Sequence, residues 1–181
     1  MNVKSIGVFL SSRQNIAPVY AEAVKALGQW IGQQKLTLVY GGSKAGMMEL
    51  LAATVKQHGG RVIGVVPDIV RQRGMESPHC DVTIYSADLA DRKAIMMREA
   101  DVLVALPGGV GTLDEMLTAA AADTIGTARQ KVYALNINHF WDPLWQVFGQ
   151  MQREGFLSAA TMKWLQRVDT LEELEQKLQS C

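Results

Sequence analysis

The chain has 181 residues, enough for one domain around one core, and 48% of them are apolar. Lys plus Arg (18) equals Asp plus Glu (18), which argues against a broad nucleic-acid or membrane surface but leaves room for a local cationic pocket. No apolar run approaches bilayer-spanning length; Cys80 and Cys181 form no CxxC or Cys/His cluster, so they read as a core thiol and an exposed tail residue without metal or redox duty.

Met1-Asn2-Val3-Lys4 leads into an apolar segment too short for a signal sequence, with no small-residue cleavage site after it; the expected setting is the cytoplasm. Residues 6–10 read as a buried strand. Val19, Ala23, Ala26, Leu27, Trp30 and Ile31 then recur at helical spacing. A second strand, 36–40, stops at Gly41-Gly42, and a helix over 46–57 ends at Gly59-Gly60. Residues 62–66 form a third strand ended by Pro67; 68–80 is a loop or short irregular helix, and 81–85 a fourth strand. A helix over 89–99 precedes the clearest strand, 101–106, whose near-continuous apolar character suits a parallel strand covered on both faces. Leu113, Met116, Leu117, Ala120 and Ala121 mark the next helix. Then come a strand over 132–136, a helix over 141–154, and a last helix opened by the capping box Thr170-Leu171-Glu172-Glu173. The alternation predicts one α/β domain over 1–181, a parallel sheet with helices on both faces. Ligands of such folds sit beyond the carboxyl ends of the strands, so the loops after Leu10, Tyr40, Pro67 and Leu106 are the places to search.

Pro107-Gly108-Gly109-Val110-Gly111-Thr112 joins the clearest strand to a helix. Glycines there admit close approach of a ligand, and the following helix offers unpaired N–H groups to a phosphate. The pattern is neither G-x-G-x-x-G nor a P-loop, and a plain strand-to-helix turn is the alternative. Gly41-Gly42-Ser43-Lys44-Ala45-Gly46 is a second turn of this kind, and two such turns at one sheet edge can flank one ligand. Glu115 closes a second capping-box pattern, Thr112-Leu113-Asp114-Glu115, so it either bonds back to the Thr112 N–H or does chemistry. Arg92, Lys93 and Arg98 read either as a solvated cationic face or as part of a site. His58, His79 and His139 show neither metal spacing nor a nucleophile partner.

Residues 107–115 match P-G-G-x-G-T-x-x-E in full; Arg92, Lys93 and Met96 resemble an upstream R-K-x-x-M; and 39–47 resemble a Y-G-G-G-x-x-G-L-M turn. Together these resemble the LOG family of cytokinin riboside 5′-monophosphate phosphoribohydrolases, formerly labelled lysine decarboxylase-like. The resemblance implies a Rossmann-like fold, a homodimer, and hydrolysis of AMP or N6-modified AMP to free base and ribose 5-phosphate, with no metal or organic cofactor. It implies Arg92 and Glu115 as the catalytic pair. Gly108, Gly109, Gly111 and Thr112 would hold the phosphate, with Gly41 and Gly42 in the nucleotide site. Ser43, Glu49, Ala122, Thr124 and Gln130-Lys131 depart from the family pattern and bear on the base pocket. The rival reading is a non-catalytic nucleotide or molybdenum-cofactor carrier on the same fold, distinguished by having no need of both Arg92 and Glu115.

Overall fold

Strands that are apolar on both faces must be covered on both, and here one parallel sheet lies between two helical layers. The computed structural model describes residues 3–124 and 130–179; Cys181 and the side chain of Thr124 lie outside them. In chain order the elements are β1 (Ser5–Phe9), α1 (Pro18–Gln33), β2 (Thr37–Tyr40), α2 (Gly46–Gln57), β3 (Arg61–Pro67), α3 (Asp68–Gln72), β4 (Val82–Ser86) and α4 (Leu89–Glu99). They continue with β5 (Val102–Ala105), α5 (Val110–Thr124), β6 (Val132–Leu135), a 3-10 turn (Ile137–His139), α6 (Asp142–Arg153), α7 (Thr161–Trp164), β7 (Leu165–Val168) and α8 (Leu171–Gln179).

The seven strands run in the order β4-β3-β2-β1-β5-β6-β7, every adjacent pair parallel. This is the parallel α/β sheet expected from the alternation, and the Rossmann-like fold that the resemblance implies. Successive strand side chains point to opposite faces. Ile6, Val8, Leu38, Tyr40, Val102 and Val104 pack with Leu27 and Ile31 of α1, Leu51 of α2 and Leu174 of α8. Phe9, Val39, Leu103 and Ala105 pack with Met96 of α4, Met116 of α5 and Phe148 of α6. Among the described residues no helix is long and apolar enough to cross a membrane.

The helix ends follow local chemistry. Asp88 caps α4 by accepting from the Asp91 N–H at 2.8 Å. Thr170 caps α8 by accepting from the Glu173 N–H at 3.1 Å, while Glu173 reaches back to the Asp169 N–H at 3.0 Å. The sequence reading did not foresee β7, which pairs with β6 at the sheet edge. Its pattern, Leu165-Gln166-Arg167-Val168, buries only the two ends, because an edge strand needs less apolar cover.

Asn136 ties this end of the sheet together. Its Nδ2 donates to Asp142 (2.8 Å) and Asp169 (2.9 Å), and its Oδ1 accepts from the Trp141 N–H at 2.8 Å. The turn it spans holds Asn138 and His139 at φ 51° and 59°, a region that costs energy for residues with a side chain. Asn136→Ala leaves the buried Trp141 N–H without its acceptor. It should lower unfolding free energy by about 1–3 kcal/mol in urea titrations; a loss below about 0.5 kcal/mol would show that the turn does not depend on this side chain.

Candidate active site

In a parallel sheet every carboxyl end lies on one edge, so the turns after β1, β2 and β5 share it. β1 lies between β2 and β5, and the chain reverses its direction of strand addition there, which opens a crevice beyond β1 and β5. The two glycine-rich turns therefore lie at the same edge, as their positions in the sequence predict.

The turn after β5 enters its helix earlier than the sequence pattern suggests. Gly109 C=O already accepts from the Leu113 N–H at 3.0 Å, and α5 begins at Val110. Gly111 and Thr112 thus belong to the first helical turn, where backbone N–H groups have no partner within the helix. At Gly109 and Gly111 a Cβ would meet only open space; at Gly108 it would collide with Thr112, which is buried. Gly108 is thus required by packing, whereas Gly109 and Gly111 leave the approach to the helix end clear. Thr112 is the third helical residue and not a cap, and Glu115 bonds elsewhere, so the capping-box alternative does not hold.

Glu115 pairs with Arg92. The Arg92 Nη1 donates to Glu115 Oε1 at 3.0 Å, and its Nε donates to the Val65 carbonyl at the end of β3 at 3.2 Å. The two side chains are 16% and 10% exposed. A Cβ at Gly41 would strike the Arg92 guanidinium, so Gly41 is the space in which that group rests. Burial pushes the Glu115 carboxyl above the ordinary glutamate range; the Arg92 charge opposes this and Asp114 adds to it. Lys93 holds α4 to α5 beside the pair, donating to both Asp114 oxygens at 2.8 Å and to Thr118 at 3.0 Å.

The turn after β2 is braced on two sides. Gly42 is at φ +67°, where a Cβ would strike Val66, and Gly46 is at φ +51°, where one would strike the backbone carbonyls of Ser12 and Arg13. Lys44 N–H donates to the Met75 carbonyl and Ser77 N–H to the Gly42 carbonyl, both at 2.9 Å, and Ser43 bridges to Glu76. Glu49 pairs with His79 at 2.9 Å, which gives that departure from the family pattern a partner outside the Arg92–Glu115 pair. Gln130 donates to the carbonyls of Met97 and Ala100, fastening the end of α4. Arg98 stays on the surface with Glu99.

Thus Arg92, Glu115, Gly41 and the α5 start meet at one edge. Sequence reasoning missed Arg13, Tyr20 and Phe140, which together with Gly108 and Gly109 border a cavity of about 210 Å³ in the β1–β5 crevice. The loop after Leu10 was marked for search, but a single arginine and scattered aromatics carry no pattern until the fold assembles them. Among the described residues no group of three His, Cys, Asp or Glu could hold a metal ion.

Comparison with known proteins gives three kinds of match. A family model described as possible lysine decarboxylase matches residues 48–178. A probable cytokinin riboside 5′-monophosphate phosphoribohydrolase of Oryza sativa subsp. japonica is 33% identical over 176 residues, 97% of this chain and 76% of the relative. A cytokinin riboside 5′-monophosphate phosphoribohydrolase of Arabidopsis thaliana is 34% identical over 177 residues, 97% of this chain and 81% of the relative. Among solved structures, the molybdenum cofactor binding protein from the phototrophic bacterium Rippkaea orientalis superposes with a TM-score of 0.73 over 99% of this chain and 98% of that one. At 22% identity this is a likeness of fold alone.

The buried pair generates a stability test. Arg92→Gln leaves the Glu115 carboxylate desolvated without its countercharge and should cost about 3 kcal/mol at neutral pH. The folded-state pKa of Glu115 is already raised, so the folded chain takes up this proton at higher pH than the unfolded chain. The stability tied to that proton is present at low pH and is lost as pH rises through the folded pKa. The deficit of Arg92→Gln should therefore shrink as pH falls. A deficit that is independent of pH between about 4 and 8 would contradict this origin.

Proposed function

This chain belongs to the LOG family, whose model carries the description possible lysine decarboxylase, and from that premise we propose that it is a nucleoside 5′-monophosphate phosphoribohydrolase. It hydrolyses the N-glycosidic bond of AMP or N6-modified AMP, releasing the free base and ribose 5-phosphate. The observation that carries the reading is the Arg92–Glu115 pair, 3.0 Å apart, one helical turn beyond a helix start left open by Gly109 and Gly111.

In this reading Gly108, Gly109, Gly111 and Thr112 form the turn that receives the 5′-phosphate. Gly41 and Gly42 shape the nucleotide side, Gly41 by admitting Arg92. A phosphate at the α5 N-terminus meets unpaired amides and the positive end of the helix dipole. It anchors the ribose so that its anomeric carbon lies beside Glu115. As the C1′–N9 bond breaks, its electron pair leaves with the base and positive charge develops on the sugar. The Glu115 carboxylate stabilises that charge and takes a proton from the water that bonds to C1′. The base gains its proton from solvent. Arg92 keeps Glu115 in place and ionised; a guanidinium is too weak an acid to be the proton donor. A non-catalytic carrier on this fold has no use for such a pair, which favours the hydrolase reading.

The same proposal includes one domain over 1–181, a homodimer and a cytoplasmic setting. Exposed Leu89 and Val110, at the starts of α4 and α5, support an interface between copies. The family resemblance supports the dimer, and the unclustered cysteines support the compartment.

Incubation with AMP and with N6-isopentenyl-AMP should release ribose 5-phosphate from at least one of them. Glu115→Gln keeps the shape and an acceptor for Arg92, so it should stay folded while kcat/KM falls about 10²–10⁴-fold. The acidic limb of the wild-type kcat/KM profile should lie above the ordinary glutamate range, because Glu115 must be ionised and burial raises its pKa. Near-normal turnover by Glu115→Gln would end the catalytic role of this carboxylate.

A further inference from the structure

The cavity in the β1–β5 crevice borders the phosphate turn proposed above. Its volume is about 210 Å³, and among the described residues Arg13 is the only formally charged side chain along its lining. Gly108 and Gly109 form one side. Tyr20 and Phe140 also line the cavity, edge-to-face with ring centres 5.9 Å apart.

The backbone of Arg13 is tightly placed and its side chain is not. Its carbonyl and that of Ser12 lie against Gly46, and its N–H donates to Ser11 Oγ at 3.1 Å. The guanidinium is exposed and makes no ion pair or hydrogen bond with a described residue. The strained turn at Asn138 and His139, stapled by Asn136, holds the backbone next to Phe140, which lines the cavity. Strain of this kind persists only where the surroundings over-determine it. A cation with a fixed root and a free head thus borders a mostly apolar cavity, next to a helix start that offers only neutral donors.

We propose that Arg13 is a substrate-binding residue of this site, whose guanidinium closes on the 5′-phosphate held at the α5 amides. The inference rests on the phosphoribohydrolase reading and adds to it the residue that supplies the countercharge. A helix terminus supplies about half a charge, so a phosphate dianion left to α5 alone stays largely uncompensated. A guanidinium adds a full charge and paired donors suited to phosphate oxygens. Arg92 cannot serve here, because it is bound to Glu115 and to the Val65 carbonyl.

The test uses Arg13→Gln and Arg13→Lys, with ribose 5-phosphate as the probe, by titration calorimetry at two salt concentrations. Arg13→Gln should raise the Kd for ribose 5-phosphate and the KM for AMP at least tenfold, and Arg13→Lys should restore part of each. Affinity of the wild type should fall as salt rises, and this dependence should flatten in Arg13→Gln, an effect that a merely structural role would not produce. Equal affinity and equal salt dependence in Arg13→Gln and wild type would overturn the proposal, as would a wild type that does not bind ribose 5-phosphate. The two readings fail separately. Arg13-dependent binding by a protein that cleaves neither AMP nor N6-isopentenyl-AMP upholds Arg13 and sinks the hydrolase. Cleavage of AMP with Arg13-independent binding does the reverse.

Discussion

A carboxylate taken out of water at the tip of a sheet needs compensation, and the site is organised around the way Arg92 provides it for Glu115. The cost of desolvating Glu115 is visible in its raised pKa, and the neighbouring guanidinium offsets part of that cost. The offset works because three separate elements converge. α4 carries Arg92, α5 carries Glu115, and the end of β3 offers the Val65 carbonyl that fixes the guanidinium from its other side. Gly41, after β2, supplies the space. Each depends on parallel strands delivering their carboxyl ends to one edge.

The glycines divide by what they serve. Gly41, Gly42, Gly46 and Gly108 are required by the packing of the protein itself: they admit Arg92, Val66, the backbone after β1, and Thr112 respectively. Gly109 and Gly111 serve no neighbour, and open space lies where their side chains would be. Glycine kept at such positions, at the start of a 15-residue helix, suits close approach by a ligand. The close packing of Gly46 against Ser12 and Arg13 also couples the turns after β1 and β2, so these two form one braced surface and not independent loops.

Much of this was legible in the residues. Continuous apolar runs marked β1, β2, β3 and β5 within a residue or two, because strands buried on both faces have no polar side to confuse the pattern. α2 and α4 matched their expected bounds, since Gly59 ends one and Asp88 caps the other. β7 was not legible: four residues with two polar side chains at an edge resemble a loop. The start of α5 was misread, because Thr112-Leu113-Asp114-Glu115 imitates a cap while the turn tightens three residues earlier, at Gly109. Periodicity could not reveal that Arg92 meets Glu115, 23 residues along the chain; only the motif resemblance paired them. Arg13 and Phe140 were invisible as a pair, because the cavity they share is made by connectivity alone.

The central claim is that phosphate anchoring at the α5 start is what brings the glycosidic bond to Glu115. The ratio of kcat/KM for AMP to that for adenosine tests it most directly, since the two differ only in the anchor. Binding energy used for positioning appears in turnover as well as affinity, so AMP should be cleaved with a kcat/KM at least about 100-fold above that of adenosine, with kcat contributing to the difference. Comparable kcat/KM for the two substrates would contradict the account, even with Glu115 essential.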